Sequence, residues 1–185
     1  LAKEPKTDFY KHIKKIVDLC KNYNNGVPLS VEVFSMNPDE MINQAKEIIK
    51  ELDYDKLNIK VPVGFEELRV IKELSQQNVK VNCTCCFTAT QMQLAALAGA
   101  RYVSLFYNRL YDASGDPLKT LKRVRTFIDN NKHRTKINFF ILNKFKLKRT
   151  HYEFIYFVLY FLSGSTHFET NIRLIPFNFF SVLKY

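Results

Sequence analysis

Glycine, proline and cysteine are all scarce in this chain of 185 residues, which has only 5 Gly, 6 Pro and 4 Cys. So few Gly and Pro residues exclude a collagen-like or linker-rich chain. The longest nearly pure apolar run, residues 154–162, is about half as long as a bilayer-spanning helix requires. No basic segment followed by an apolar one opens the sequence, so we expect no secretory signal and a cytoplasmic location.

The cysteines are Cys20, Cys83, Cys85 and Cys86. In a regular strand, Cys83 and Cys85 would share one face and Cys86 would point to the other. That arrangement suits neither a zinc site nor a local disulfide. We therefore expect reduced, buried cysteines and no metal site.

The excess of positive charge is confined to a single stretch of the chain. Residues 1–116 carry 15 basic and 15 acidic residues, whereas residues 117–151 carry 11 basic residues and one acidic residue, which accounts for the net charge of +10. Such a stretch could bind nucleic-acid phosphates. The candidate contacts are Arg123, Arg125, Lys144, Lys146, Lys148 and Arg149. No recognition motif accompanies them, so we expect no nucleic-acid partner.

The composition changes near residue 137. Ala occurs eight times before that point and never after it, and 14 of the 26 Phe and Tyr residues lie in the last 49 positions. We therefore predict two parts, residues 1–136 as one domain and residues 137–185 as a divergent tail not native to that fold. The tail's pattern predicts a strand at 137–143, a helix at about 151–162 and a strand at 171–177.

Hydrophobic periodicity predicts that strands and helices alternate through the first part. Strands are expected at 29–35, 57–63, 79–86 and 101–107, and helices at 7–23, 65–77, 88–98, 117–130 and from 38 to about 52. Short connections and Val- and Ile-rich strands buried on both faces are typical of a parallel sheet with crossover helices. The spacing of the strands favours an α/β fold that forms part of a (β/α)8 barrel. An open doubly wound sheet stays an alternative, although no Gly-rich dinucleotide loop follows any strand.

Four polar residues stand on successive predicted strands. Lys60 lies between Ile59 and Val61, where a charged amine is costly unless it is paired or neutral. A neutral, desolvated lysine is the nucleophile of Schiff-base catalysis, whereas the alternative is a lysine whose amine reaches solvent from the strand end. Three more polar residues occupy the other strands, namely Glu32, Thr84 and Ser104. In a parallel barrel these side chains would converge inside the mouth.

Three blocks in this order resemble the transaldolase family, which includes the fructose-6-phosphate aldolase branch. They are Ile-Lys-Val-Pro-Val at 59–63, Val-Asn-Cys-Thr at 81–84, and the segment 98–109, which contains Val-Ser-Leu-Phe. The resemblance spans about residues 1–135. It implies a (β/α)8 barrel, class I aldol chemistry and no metal or organic cofactor.

The resemblance also implies roles for individual residues. Lys60 matches the Schiff-base lysine, Glu32 the acid/base carboxylate, and Thr84 the residue that helps hold the catalytic water. The residues matching substrate-binding positions are Asn82, Ser104, Phe106 and Arg109, with Arg109 suited to a phosphate. The implied partners are sugar phosphates, with no membrane partner, and a homo-oligomeric assembly stays open.

Two positions separate the branches of the family. Aldolase members resemble the rest but carry Gln at the position of Glu32 and Tyr at that of Phe106. We therefore expect a transaldolase of the pentose phosphate pathway, with aldolase-type cleavage as the alternative. The family's Asp strand and Thr-Asn-Pro block have no match, nor has its Ala-Ser-x-Arg strand. We thus expect a barrel incomplete at both ends, and a truncated, catalytically inactive product is a further alternative.

Overall fold

The computed structural model describes residues 9–23, 26–143 and 155–160. In these ranges helices and strands alternate, in the order α1 (Phe9–Asn22), β1 (Leu29–Glu32), α2 (Pro38–Leu52), β2 (Leu57–Pro62), α3 (Phe65–Gln76), β3 (Val81–Cys86), α4 (Ala89–Leu97), β4 (Tyr102–Leu105), α5 (Tyr107–Asp112), α6 (Pro117–Asn130), β5 (Lys136–Asn143) and β6 (Ile155–Tyr160). Among these residues no helix combines the length and apolarity needed to cross a bilayer.

The strands form one sheet in the order β1-β2-β3-β4-β5-β6. The first five are parallel, and β6 pairs antiparallel with β5. Parallel strands in sequential order with helical crossovers are the arrangement of a (β/α)8 barrel rather than of a doubly wound sheet, whose order reverses. The predicted α/β class and partial-barrel architecture are confirmed.

Local signals in the sequence set the helix ends. Asn37 caps α2, since its side-chain oxygen accepts hydrogen bonds from the backbone N–H groups of Asp39 and Glu40, and Pro38 occupies the first turn. Thr88 and Gln91 form a reciprocal capping box at the start of α4. The connections from β1 to α2 and from β3 to α4 therefore end at fixed points above the carboxyl ends of their strands.

The two faces of the sheet differ in chemistry. One face is apolar and packs under the helices, where its residues are buried, namely Val31, Ile59, Val61, Val81, Cys83, Val103, Leu105 and Ile137. The other face is polar, and it carries Ser30, Glu32, Asn58, Lys60, Asn82, Thr84, Ser104 and Asn138. The strands are thus buried on both faces at the centre of the sheet, as predicted, but only one of those faces is apolar.

Three features differ from the sequence-based expectation. Residues 155–160 are a strand rather than part of a helix, because all six pair antiparallel with residues 138–143 of β5. The strand predicted at 101–107 ends at Leu105, and Tyr107 begins the short helix α5. The third difference is a bulge in β3, where Cys83 pairs with Val103 but Cys86 pairs with Leu105.

The bulge corrects the prediction for the cysteines. One extra residue, Cys85, sits between the two pairs with a φ of 61°, so Cys83 and Cys86 lie on the same apolar face. Their sulfur atoms are 3.9 Å apart and all four cysteines are free thiols. The hydrogen bond with Cys86, followed by burial, raises the pKa of the Cys83 thiol far above its ordinary value. Both thiols therefore act as small core residues.

Several predicted features lie outside the described residues. They are the start of the first helix at 7–8, the strand at 171–177, and the basic residues Lys144, Lys146, Lys148 and Arg149. The boundary predicted at 136/137 stays a prediction, although β5 itself belongs to the common sheet.

Candidate active site

Lys60 and Glu32 meet on the polar face of the sheet. They are direct partners in the β1–β2 register, and the Lys60 Nζ donates to the Glu32 Oε2 at 2.9 Å. The two side chains are 23% and 39% exposed, so the ion pair is reached from solvent. The prediction that the amine and the carboxylate share one face is confirmed. An amine with a carboxylate at hydrogen-bond distance can transfer a proton to it.

A chain of hydrogen bonds runs beside this pair. Ser104 Oγ donates to Asn82 Oδ1 at 2.7 Å, and Asn82 Nδ2 donates to Ser30 Oγ at 3.2 Å. Ser30 is on β1 and Asn82 on β3, and strands two apart in a flat sheet lie about 9.5 Å from each other. The second bond therefore requires a concave face, with Asn82 in its centre.

Thr84 follows Asn82 as the next residue of β3 on the concave face, and it pairs with Pro62 of β2. Its side chain is fully buried, and its hydroxyl oxygen has no hydrogen-bond partner among the described residues. A buried hydroxyl without a protein partner retains its capacity to hold a water or a substrate group. The same holds for the side-chain oxygens of Asn58 and Asn138 on this face.

Phe106 and Arg109 form a second group just beyond β4. Phe106 contacts Phe87 edge-to-face, with ring centroids 5.5 Å apart, and the Arg109 guanidinium carbon lies 5.4 Å from the Phe106 ring centre. Arg109 is exposed on α5, and the described residues give its guanidinium no carboxylate partner. The aromatic ring thereby helps to hold the Arg109 guanidinium in place.

The predicted site residues thus fall into two groups. Lys60, Glu32, Asn82, Thr84 and Ser104 lie on the concave face. All except Asn82, the second residue of β3, are within the last three residues of their strands. In (β/α)8 barrels this carboxyl-terminal end carries the active site. The second group, Phe106 with Arg109, stands above the end of β4, and none of its contacts described above includes the first group.

Sequence reasoning missed Ser30, Asn58 and Asn138 as members of the polar face. The signal is present, because polar and apolar residues alternate with period two in the first strands and at the start of β5, as in Leu57-Asn58-Ile59-Lys60-Val61. The pairing of Phe87 with Phe106 was missed as well, and it depends on two different βα connections coming together.

Comparison with known proteins shows the family of this chain. A family model described as transaldolase/fructose-6-phosphate aldolase matches residues 6–147. Proteins named probable transaldolase are similar in Chlorobaculum parvum, 38% identical over 130 residues (70% of this chain and 55% of the relative), and in Geotalea daltonii, 40% identical over 119 residues (63% and 55%). A third, from Methanococcus vannielii, is 37% identical over 124 residues (67% and 54%).

The chain spans about half the length of these curated relatives. The family match covers the four strands that carry Lys60, Glu32, Asn82 and Ser104, and it extends through β5. With a family model matched over most of its residues, this chain belongs to the transaldolase/fructose-6-phosphate aldolase family.

Proposed function

We propose that this chain carries the Schiff-base half of a transaldolase site, in which Lys60 takes a dihydroxyacetone unit from one sugar phosphate and passes it to another. The observation that carries the proposal is the contact of 2.9 Å between Lys60 Nζ and Glu32 Oε2 at the carboxyl ends of adjacent parallel strands. This contact joins a nucleophile to an acid/base group at the place where barrel enzymes do chemistry.

The first step is attack by the Lys60 amine on the keto carbon of a ketose phosphate such as fructose 6-phosphate. As the substrate enters, the proton of the ammonium passes to Glu32, and the freed electron pair of the nitrogen forms the C–N bond. The carbinolamine then loses its hydroxyl as water, with a proton returned by Glu32, and leaves an imine. The imine, protonated on nitrogen, takes up the electrons of the neighbouring carbon–carbon bond while the hydroxyl on the departing carbon gives its proton to Glu32. The bond breaks, an aldose phosphate leaves, and the three-carbon unit stays on Lys60 as an enamine.

Glu32 and Thr84 serve the proton transfers in these steps. The Thr84 hydroxyl is buried and free to bind a water, and a water there would connect the carboxylate to the reacting atoms. Glu can exchange protons whereas Gln cannot, so Glu32 favours transfer to an acceptor aldose over the aldolase-type reaction.

The remaining site residues hold the sugar. The Asn82 amide is fixed between Ser104 and Ser30, and these two bonds leave its second N–H for a substrate hydroxyl. Arg109 binds the substrate phosphate above Phe106. Sugar phosphates, a cytoplasmic location and a place in the pentose phosphate pathway belong to the same proposal.

Borohydride trapping tests the nucleophile without requiring turnover. With fructose 6-phosphate and borohydride we expect one reduced adduct, located on Lys60 by peptide mass analysis. Lys60→Met should abolish the adduct. The matched control Lys80→Met replaces an exposed lysine directly before β3 and should keep the adduct. An adduct on any other lysine would refute the assignment.

Glu32→Gln tests the acid/base role and the class of reaction. We expect this variant still to form the adduct, but single-turnover release of aldose phosphate should slow by about 10² to 10⁴-fold. With an acceptor aldose present, product analysis distinguishes transfer of the three-carbon unit from its release as free dihydroxyacetone. Unchanged release in Glu32→Gln would exclude Glu32 as the acid/base group.

A further inference from the structure

A groove lies between α4 and α6, on the helical layer rather than on the concave face of the sheet. Its volume is about 430 Å³, and it is lined by Gln93 of α4 and by Lys119, Lys122, Arg123, Thr126 and Phe127 of α6. The groove is shallow and open to solvent. The Schiff-base chemistry uses none of these residues.

The three cations of the groove share one face of α6. Lys119, Lys122 and Arg123 stand at positions i, i+3 and i+4, which are neighbours on a helix surface. Like charges at this spacing destabilise a helix by a few tenths of a kcal/mol per pair. Their convergence therefore does nothing for the stability of α6.

These cations also have no carboxylate partner within the part of the chain that the structure describes. The two acidic residues beside α6 are engaged elsewhere: Asp116 caps the helix at the Lys119 N–H, and Asp129 binds Arg125. Arg125, which does not line the groove, is thus neutralised, whereas the three cations that line the groove are not.

The neutral lining residues suit an anion with several acceptor oxygens. Gln93 and Thr126 offer an amide and a hydroxyl across the groove. Phe127 supplies an apolar floor and is fixed by stacking on His133, with ring centroids 5.4 Å apart. A chain of linked phosphates offers acceptor oxygens to three neighbouring cations at once, whereas a single phosphate offers fewer.

We propose that the α4–α6 groove is a binding site for a small oligophosphate anion, either inorganic or the phosphate chain of a nucleotide. The phosphate oxygens lie against Lys119, Lys122 and Arg123, which replace the missing carboxylate partners. Binding weakens as salt rises, since the three cations are exposed and screened. This site is independent of the reaction at Lys60.

Isothermal titration calorimetry with inorganic tripolyphosphate tests the site. We expect saturable binding with one site per chain at low salt, weakened at least about tenfold in Lys119→Ala/Lys122→Ala/Arg123→Ala, as three exposed charge contacts are lost. The control Lys46→Ala/Lys50→Ala/Lys72→Ala removes the same charge from exposed positions on α2 and α3 and should bind as the wild type does. Titration with ATP decides whether a nucleoside adds affinity through Phe127.

Lysine acetylation of the wild-type protein tests the same point without any variant. Tripolyphosphate should protect Lys119 and Lys122 but not Lys46 and Lys50. No saturable binding, equal loss in the groove and control variants, or equal protection of all four lysines would overturn the proposal. Tighter binding of a single-stranded oligonucleotide, lost in the groove variant, would also overturn it and make the groove part of a nucleic-acid surface.

Discussion

Lys60 illustrates how a neighbouring strand decides what one residue can do. A lysine inside an apolar strand can either send its amine to solvent or find a partner. Here the register places Glu32 directly beside it, and the amine donates to that carboxylate while 23% of the lysine side chain stays exposed. The amine is therefore held in place and remains accessible, which a purely structural ion pair would not need.

Tyr10 gives a prediction for the pH dependence of stability. Burial, together with a hydrogen bond to Glu47 and the charge of Glu47, raises the pKa of Tyr10 from 10.0 to about 12. A raised folded-state pKa means that the folded protein holds this proton between about pH 10 and 12 while the unfolded chain loses it. The stabilisation is therefore complete below pH 10 and is lost as the pH rises to 12.

Denaturant unfolding measured from pH 8 to 12 checks this prediction. The free energy of unfolding should fall less steeply above pH 10 in Tyr10→Phe than in the wild-type protein. Tyr111→Phe, which removes a hydroxyl from an exposed residue on α5, should leave the slope unchanged. Parallel curves for the wild type and Tyr10→Phe would contradict the assignment.

Among the elements, β3 is the one that departs most from regular geometry. Its bulge places Cys85 at a φ of 61°, a conformation that costs a residue other than Gly about 1 to 2 kcal/mol. The extra residue turns Cys86 onto the apolar face, directly before the connection that holds Phe87. The bulge thereby sets where the chain leaves the sheet above Thr84.

Substitution of Cys85 tests the bulge. Cys85→Gly should change the free energy of unfolding by less than about 1 kcal/mol, because relief of the left-handed strain offsets the greater entropy of the unfolded chain. Cys85→Val should destabilise by about 1 to 3 kcal/mol, since a β-branched residue tolerates this backbone poorly. Urea unfolding measures both. Equal stability of the two variants would mean that β3 is regular at this position.

The whole molecule is organised by the two faces of its sheet. The apolar face carries the packing, with Ile59, Val61, Val81 and Val103 fully buried under the helices. The polar face carries the candidate chemistry, and the burial of Asn82 and Ser104 there is offset by the hydrogen bond between them and by that from Asn82 to Ser30. Stability and chemistry are thereby assigned to residues that alternate along the same strands.

Ile59→Ala tests whether stability and the chemistry at Lys60 depend on different faces of the sheet. Removing a fully buried side chain next to Lys60 should cost about 2 to 5 kcal/mol of unfolding free energy. Below the unfolding transition, the fraction of chains that borohydride traps at Lys60 should nevertheless match the wild type. Ser104→Ala should do the reverse, with a smaller loss of stability and weaker binding of the sugar. Loss of trapping in folded Ile59→Ala would show that the faces are coupled.

The sequence alone predicted the alternation of strands and helices, because hydrophobic period and capping residues are local signals. Asn37 with Pro38, and Thr88 with Gln91, fix helix starts through contacts within a few residues. The family blocks predicted the barrel class and singled out Lys60, Glu32, Thr84 and Ser104. The roles of these residues stay predictions until trapping and kinetics test them.

Tertiary structure decided the features that depend on contacts between distant segments. The bond from Asn82 to Ser30 joins residues 52 positions apart across β2, and no local pattern encodes the curvature that it requires. The bulge at Cys85 arises from the pairing with β4: from Cys83 to Cys86 β3 advances three residues, whereas from Val103 to Leu105 β4 advances two. Residues 155–160 are apolar, and such a short run is compatible with helix or strand. The edge of β5 determined the outcome, because an unpaired strand edge supplies the backbone hydrogen bonds that a second strand needs.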